Sequence, residues 1–393
     1  MPGSERSYEA YLETRERQGS RRGLTGIEAR DARNISIGDE ACVNFASNDY
    51  LALRFHPALI ERARVWAQEY GVGAGASRLV TGNLGLFAGL ETKVAALKEK
   101  PSALIMASGF QANASVLQAV FDRSVLGAEP LVFSDRLNHA SIHFGCAASG
   151  AREIRYRHGD AVHLGSLLSQ YQGDERPKFI LTESVFSMDG DVAPLAEIGG
   201  LAREHDAMLI VDDAHASGIL GEGGRGLSEE ADVVIGTFSK ALGSFGAYVA
   251  CSGSFREYLI NRCAGLIYST ALPPPVLGAI DAALYLLPSL DAERAHVASL
   301  AKRFRQGARS LGYDTGASIT QIVPLIAGSN HAALSLSKRL REAGFFATAI
   351  RPPTVPAGTA RLRLAFTAAH STADLDGLLE ALDDRALPRS ATA

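Results

Sequence analysis

Lysine is scarce in this 393-residue chain. Of 39 basic residues only seven are lysines: Lys93, Lys98, Lys100, Lys178, Lys240, Lys302 and Lys338. Arginine keeps its charge at neutral pH and forms no Schiff base. Chemistry that needs an amine nucleophile therefore has seven side chains and the N-terminus to choose from. Cysteine is scarce too. Cys42, Cys146, Cys251 and Cys263 form no C-x-x-C pair and no Cys/His cluster of zinc spacing, so no metal site is expected. Reduced, mostly buried thiols in a cytoplasmic protein are expected instead. A net charge of −4 leaves no basic footprint for nucleic acid or an anionic membrane. No stretch approaches the roughly 20 apolar residues that span a bilayer. The longest, near 265–288, is interrupted by Pro273, Pro274 and Pro275. The N-terminus is rich in Arg and Glu and lacks the apolar segment of a secretory signal. The sequons at Asn34 and Asn113 then carry little weight.

What is present is ordinary in bulk and specific in detail. Hydrophobic residues make up 47% and charged residues 21%, which suits a soluble enzyme with a large core and two or three domains. Residues 5–22 read as an exposed helix, and 40–55 as a strand and a turn around Asn48 and Asp49. From about residue 56 helical and strand patterns alternate. Strands are predicted at 103–106, 131–134, 178–182, 208–212, 233–237 and 247–252. They are continuous apolar runs of four to six residues, as in strands buried on both faces, and predict an α/β fold with a mostly parallel sheet. Beyond the three prolines a long helix to about Ser310 is expected, then short strands at 322–325 and 361–366 with helices at 332–342 and 373–382. The expected domains are an N-terminal segment (1–45), a large α/β domain (46–285) and a small α+β domain (286–393). The tail, Ser390–Ala393, reads as disordered.

Parallel sheets place ligands at the C-terminal ends of their strands. One predicted strand ends in Glu183, with Ser187 and Asp189 just beyond. Another ends in Asp212-Asp213-Ala214-His215, and a third in Thr237-Phe238-Ser239-Lys240. Gly109-Phe110, after the strand at 103–106, opens a helix whose N–H groups suit a phosphate, and Thr237 can add a hydroxyl. Lys240 lies among small residues, which suits a covalent bond to a flat cofactor better than a salt bridge. The alternative is a solvated surface lysine, the reading given to the other six. Asp212, 28 residues earlier, can keep a pyridine nitrogen protonated. Alone it could equally be a helix cap, and His215 a structural histidine. His139 could stack on a planar ring or simply start a helix. Gly221–Gly226 fits G-x-G-x-x-G literally, but Asp213-Ala214-His215 separates it from the strand end. It reads as a flexible loop near the site rather than a dinucleotide fingerprint of an oxidoreductase.

Together these residues resemble the α-oxoamine synthases, pyridoxal 5′-phosphate enzymes of fold type I. The matching segments run from about Asn44 to Leu382. They include 44–51, 108–113, 183–190, Asp212–His215 and Thr237–Lys240. Ile350–Leu364 followed by Ala368-Ala369-His370 most resembles the biotin-pathway member rather than those that take glycine or serine. The resemblance implies an acyltransferase that condenses L-alanine with an acyl-CoA or acyl-carrier-protein thioester, losing CO2. It implies an aldimine on Lys240, which also serves as Cα acid/base, with Asp212 at the pyridine nitrogen. His139 would stack on the ring, and His215 and Ser187 would address its phenolic oxygen. Thr237, Gly109 and Phe110 would bind the phosphate, and Glu183 would join the network. Asn48, Arg351 and Thr354 would hold substrate. The family's N-terminal arginine corresponds to Arg21 or Arg22. A homodimer with the site at its interface is implied, with Ser269 and Thr270 serving the partner's phosphate. The chain departs from the family at Ala216 and Ser239, where glycine is common.

Overall fold

A computed structural model describes residues 3–383. The tail expected to be disordered lies outside the described residues. Among them no single helix is long and apolar enough to cross a membrane. The chain divides into two compact units. Among the described residues one comprises 48–187 and 191–295; the other comprises 3–47, 188–190 and 296–383.

The first unit is built on seven strands: β1 (Ser102–Met106), β2 (Leu131–Asp135), β3 (Glu153–Tyr156), β4 (Lys178–Glu183), β5 (Ala207–Asp212), β6 (Val233–Thr237) and β7 (Ala247–Cys251). Their order is β1-β7-β6-β5-β4-β2-β3. β2, β3, β4, β5 and β6 pair in parallel, while β7 runs antiparallel to both β6 and β1. Every residue of β2, β6 and β7 is buried. That is why these strands read as unbroken apolar runs rather than alternating ones. β3, Glu-Ile-Arg-Tyr, was not predicted. It is an edge strand with only Tyr156 buried, and it carries no such run. Helices pack on the sheet through a core that includes Val116, Val120, Ile142, Leu181, Ile210 and Val249. Phe121 meets Phe179 edge-on at 5.0 Å. Burial of each such side chain contributes about 1.5–3 kcal/mol. The long helix expected after Pro273 is broken. Helix Pro274–Leu286 ends in a 3-10 turn at Leu287–Ser289, which contains Pro288, and a second helix runs from Asp291 to Ser310. Proline lacks the N–H that would continue the first.

One expectation about this unit is corrected. Lys98 is not on an exposed face. It is 5% exposed and paired with Asp213, and it also donates to the carbonyl of Arg225. Burial alone would drive its amine toward neutrality, but the Asp213 charge and the Tyr248 phenol outweigh this and raise its pKa. Gly221–Gly226, read as a loop, is indeed no strand-to-helix turn. It holds a short 3-10 turn at Glu222–Gly224 that lies against the ion pair. A Cβ on Gly226, at φ 92°, would stand 1.8 Å from Asp213 Oδ2 and 2.7 Å from Lys98 Nζ. The glycine permits close backbone approach rather than ligand binding.

The second unit holds a three-stranded antiparallel sheet with Ala360–Ala365 between Ile322–Gly328 and Thr348–Ile350. The N-terminal segment is part of this unit rather than a separate one. Its strand Glu40–Asn44 pairs in parallel with Phe345–Phe346. The helix read over 5–22 is observed at Gly3–Arg17.

His370, from the Ala-Ala-His motif, locks this unit together. Its Nδ1 accepts from the Thr367 N–H at 3.0 Å and its Nε2 meets the Asn44 carbonyl at 3.1 Å. Its ring stacks on Phe45 with centroids 4.1 Å apart. Burial holds it neutral and lowers its pKa from 6.5 to about 4. The unfolded state then binds the proton more readily than the folded one. The stability contributed is complete above about pH 6.5 and is lost as pH falls toward about 4, by up to about 3 kcal/mol. Denaturant midpoints measured across that window should fall accordingly, and a His370→Gln variant should lose that part of the slope.

Candidate active site

The site follows from the strand register of the first unit. β4 and β5 are parallel and aligned so that their last residues, Glu183 and Asp212, are direct partners. Two carboxylates thus stand side by side, 3% and 9% exposed. Parallel strands end at a common edge, so the residues after β2, β6 and β1 emerge beside them. After β2 comes His139, whose Nδ1 accepts from the Ser141 N–H at 3.3 Å and caps helix Ala140–Ser149. It therefore does start a helix, and the cap fixes its ring. After β6 come Thr237 and Lys240. After β1, Ser108 caps helix Gly109–Val120 by accepting from the Gln111 N–H at 3.3 Å. The N–H groups of Gly109 and Phe110 open that helix, where no intrahelical acceptor exists.

Electrostatics tie the group together. Glu183 lies well above the usual carboxylate range, first because it is buried and then because Asp212 repels its charge. The Lys240 amine and an N–H from His139 act against this, but less strongly. His139 is lowered by burial and by Lys240, against the pull of Asp212, and is neutral at neutral pH. Glu183, Asp212, His139 and Lys240 thus share one electrostatic neighbourhood.

Two residues important to this arrangement received no role from sequence reasoning. Asn113 is buried on helix Gly109–Val120 and donates its Nδ2 to Asp212 Oδ2 at 2.6 Å and to Ser141 at 2.9 Å. In the sequence it stood out as a sequon asparagine and as the last residue of the family-matching segment 108–113, and helical spacing from Gly109 puts it one turn inside the helix. The other Asp212 oxygen accepts from the Ala214 N–H at 3.0 Å. Tyr50 is fully buried, with its hydroxyl 2.7 Å from His215 Nδ1 and 3.2 Å from Asn48 Oδ1. Asn48, Tyr50 and His215 therefore form one chain of polar groups.

Thr237 Oγ1 accepts from the Ser239 N–H at 3.1 Å, lies 2.7 Å from Ser239 Oγ and donates to the Gly246 carbonyl at 2.7 Å. A Cβ on Gly109 would stand 3.8 Å from Thr237 Cβ, so the start of the helix lies close beside this threonine. The serine that replaces the family's common glycine thus joins the hydroxyl cluster. Ala216 is fully buried. Ser187, 8% exposed, follows the β4 end. Ser269 lies beside the start of the same helix, its Oγ accepting from Gln111 Nε2 at 2.6 Å, and Thr270 bridges to Ser77.

The remaining candidates lie in the second unit. Arg22 donates to Thr354 Oγ1 at 2.7 Å, whereas Arg21 reaches Glu16. Arg351 donates to the carbonyl of Gly19 at 2.5 Å. Asp189, counted above with the strand-end acids, instead forms an ion pair with the buried Arg361 in that unit.

The description "Aminotransferase class I and II" fits residues 40–382, by match to that family's model. An 8-amino-7-oxononanoate synthase from Gluconacetobacter diazotrophicus is 52% identical, covering 96% of each chain. A serine palmitoyltransferase from S. paucimobilis, solved with a bound PLP–myriocin aldimine, superposes with a TM-score of 0.88 at 26% identity and covers 96% of each chain. The crystal structure of 8-amino-7-oxononanoate synthase from Francisella tularensis has a TM-score of 0.75 at 26% identity, over 88% of this chain and 97% of that one.

The two ion networks at the end of β5 make separate predictions. Asn113→Ala leaves a buried carboxylate oxygen unsatisfied and should cost about 1–3 kcal/mol in denaturant unfolding. Lys98→Ala strands the charge of Asp213 and should cost more, about 3–5 kcal/mol.

Proposed function

The chain belongs to the aminotransferase class I and II family, and from that membership we propose that it condenses L-alanine with a pimeloyl thioester. The products are 8-amino-7-oxononanoate, CO2 and the free thiol, as in biotin biosynthesis, and pyridoxal 5′-phosphate is the cofactor. The observation that carries this reading is Lys240 beside two buried, register-matched carboxylates, in a chain 52% identical over nearly its whole length to a synthase of that name. The serine palmitoyltransferase neighbours share the fold at half that identity. Identity therefore favours alanine and a pimeloyl chain over serine and a longer one.

The donor set fits the cofactor. Two adjacent buried acids call for a cation between them and the ring-binding space, and a protonated pyridine nitrogen is one. The helix N-terminus at Gly109 and Phe110, which lies close to Thr237, suits a phosphate. When bound, the cofactor supplies an aldehyde for amine exchange and a ring that absorbs negative charge.

The chain's own residues do the rest. Lys240 Nζ holds the cofactor between turnovers, takes the Cα proton of alanine and later returns a proton to the same carbon. Asp212, kept in place by Asn113 and the Ala214 N–H, holds a proton on the ring nitrogen. Burial, and then the neighbouring Asp212, raise the pKa of Glu183, so that it gives up its proton less readily than an ordinary carboxyl. Neutral His139 offers a flat ring face. His215, backed by Tyr50, and Ser187 address the phenolic oxygen. Thr237, Gly109 and Phe110 bind the phosphate. Asn48, Arg22, Arg351 and Thr354 orient substrate carboxylates and the acyl chain. The active unit is a homodimer in which Ser269 and Thr270 serve the partner's phosphate. Four free, buried cysteines suit the cytoplasm.

Lys240→Ala should abolish turnover and remove the borohydride-reducible link to the cofactor. Near-wild-type turnover in that variant would overturn the assignment. When alanine, glycine and serine are each paired with pimeloyl and other acyl thioesters, turnover should be fastest with alanine and the pimeloyl thioester, and that pair should give 8-amino-7-oxononanoate.

A further inference from the structure

His158 lies two residues beyond β3, in the turn Arg157–Asp160, and is partly buried. Both of its ring nitrogens face carboxylates. Nδ1 is 3.1 Å from Asp135 Oδ1 and Nε2 is 2.8 Å from Asp191 Oδ2. An ionised carboxylate only accepts hydrogen bonds, so both ring nitrogens must donate and the imidazole is a cation. Burial pulls its pKa down, but the hydrogen bonds and charges of Asp135 and Asp191 outweigh that and lift it to about 10.

Each carboxylate governs one loop of the candidate site. Asp135 ends β2 and is 1% exposed. Its Oδ1 accepts from the Leu137 N–H at 2.8 Å, its Oδ2 accepts from the Gly159 N–H at 2.8 Å, and its carbonyl accepts from the Asn138 N–H at 3.2 Å. It therefore shapes the two residues that lead into His139. Asp191 fixes the chain around Ser187. Its carbonyl accepts from the Phe186 N–H at 3.1 Å, and Val185 bridges to Val192. The Phe186 ring stands edge-on to the His158 ring, 4.3 Å between centroids at 88°. The imidazole thus packs against the residue next to Ser187 while its nitrogens hold both loops.

We propose that His158 is a positioning residue for the cofactor cradle, a doubly donating cation that holds the His139 and Ser187 loops in register. The inference rests on the function proposed above, because those two loops matter only if they face the cofactor. His158 itself acts through Asp135 and Asp191. Removing either hydrogen bond frees one loop, so the ring face and the phenolic-oxygen contacts lose their mutual alignment.

The test compares wild type with His158→Gln and Asp191→Asn, each as apoprotein titrated with pyridoxal 5′-phosphate and then as holoenzyme. Cofactor affinity should fall about tenfold in each variant, and the pH midpoint of the visible absorption band of the bound cofactor should move. The loss in kcat should exceed any change in KM for alanine. Variants that bind the cofactor like wild type, with the same pH titration of the band, overturn the inference even if their thermal midpoints are lower. Should His158→Gln fail to fold, Asp191→Asn decides the matter by the same readouts, since it keeps the side-chain shape and removes one ionic acceptor. A wild-type protein that takes up no pyridoxal 5′-phosphate overturns the proposed function itself. Wild-type uptake with unaltered variants overturns only the role of His158.

Discussion

Two carboxylates forced together at the ends of neighbouring strands are the constraint around which the rest of the first unit is organised. The register of β4 against β5 makes Glu183 and Asp212 direct partners in a buried environment. Like charges so placed cannot both ionise cheaply. The protein meets this by several means at once. Burial and repulsion push Glu183 toward its protonated form, Lys240 brings a nearby cation, and Asn113 and the Ala214 N–H saturate Asp212. Each remedy fixes another element. Asn113 requires helix Gly109–Val120 to lie over β5, and that helix brings Gly109 and Phe110 to the same edge. The proposed site for an anionic, ring-bearing cofactor lies where this electrostatic problem is solved.

The next residue shows the same economy. Asp212 and Asp213 are adjacent, yet they serve opposite purposes, because successive side chains at a strand end point to opposite sides. Asp212 faces the open edge. Asp213 is wholly buried, where it meets Lys98, Ser217 and the Leu227 N–H. Gly226 lets the backbone approach that buried pair at a distance no side chain would allow. A motif that resembles a nucleotide loop is here the packing solution for an ion pair behind the candidate site.

Much of this was legible in the chain. Strands buried on both faces gave continuous apolar runs, and their ends marked Glu183, Asp212, Thr237 and Lys240. What escaped has identifiable reasons. β3 is an edge strand and mixes charged with apolar residues, so it lacked the signal that betrayed its neighbours. Lys98 sits among charged residues on a helix and looked exposed, because helical spacing says nothing about a carboxylate 115 residues away. His158 lies in a short polar turn, and nothing nearby marks it as a bridge between two loops. The N-terminal segment belongs to the second unit through a parallel strand pair, Val43 with Phe345 and Asn44 with Phe346, whose members are far apart in sequence.

The sequence alone singled out one lysine of seven as the expected amine nucleophile. Strand period, small neighbours and the spacing from Asp212 are local properties, readable without coordinates. Only the tertiary structure decided which groups stand beside that chemistry. Asn113 reaches Asp212 across 99 residues and Tyr50 reaches His215 across 165. Such pairs depend on strand order and helix placement. These are set by the packing of the whole core, whereas periodicity reports only which face of each element is buried.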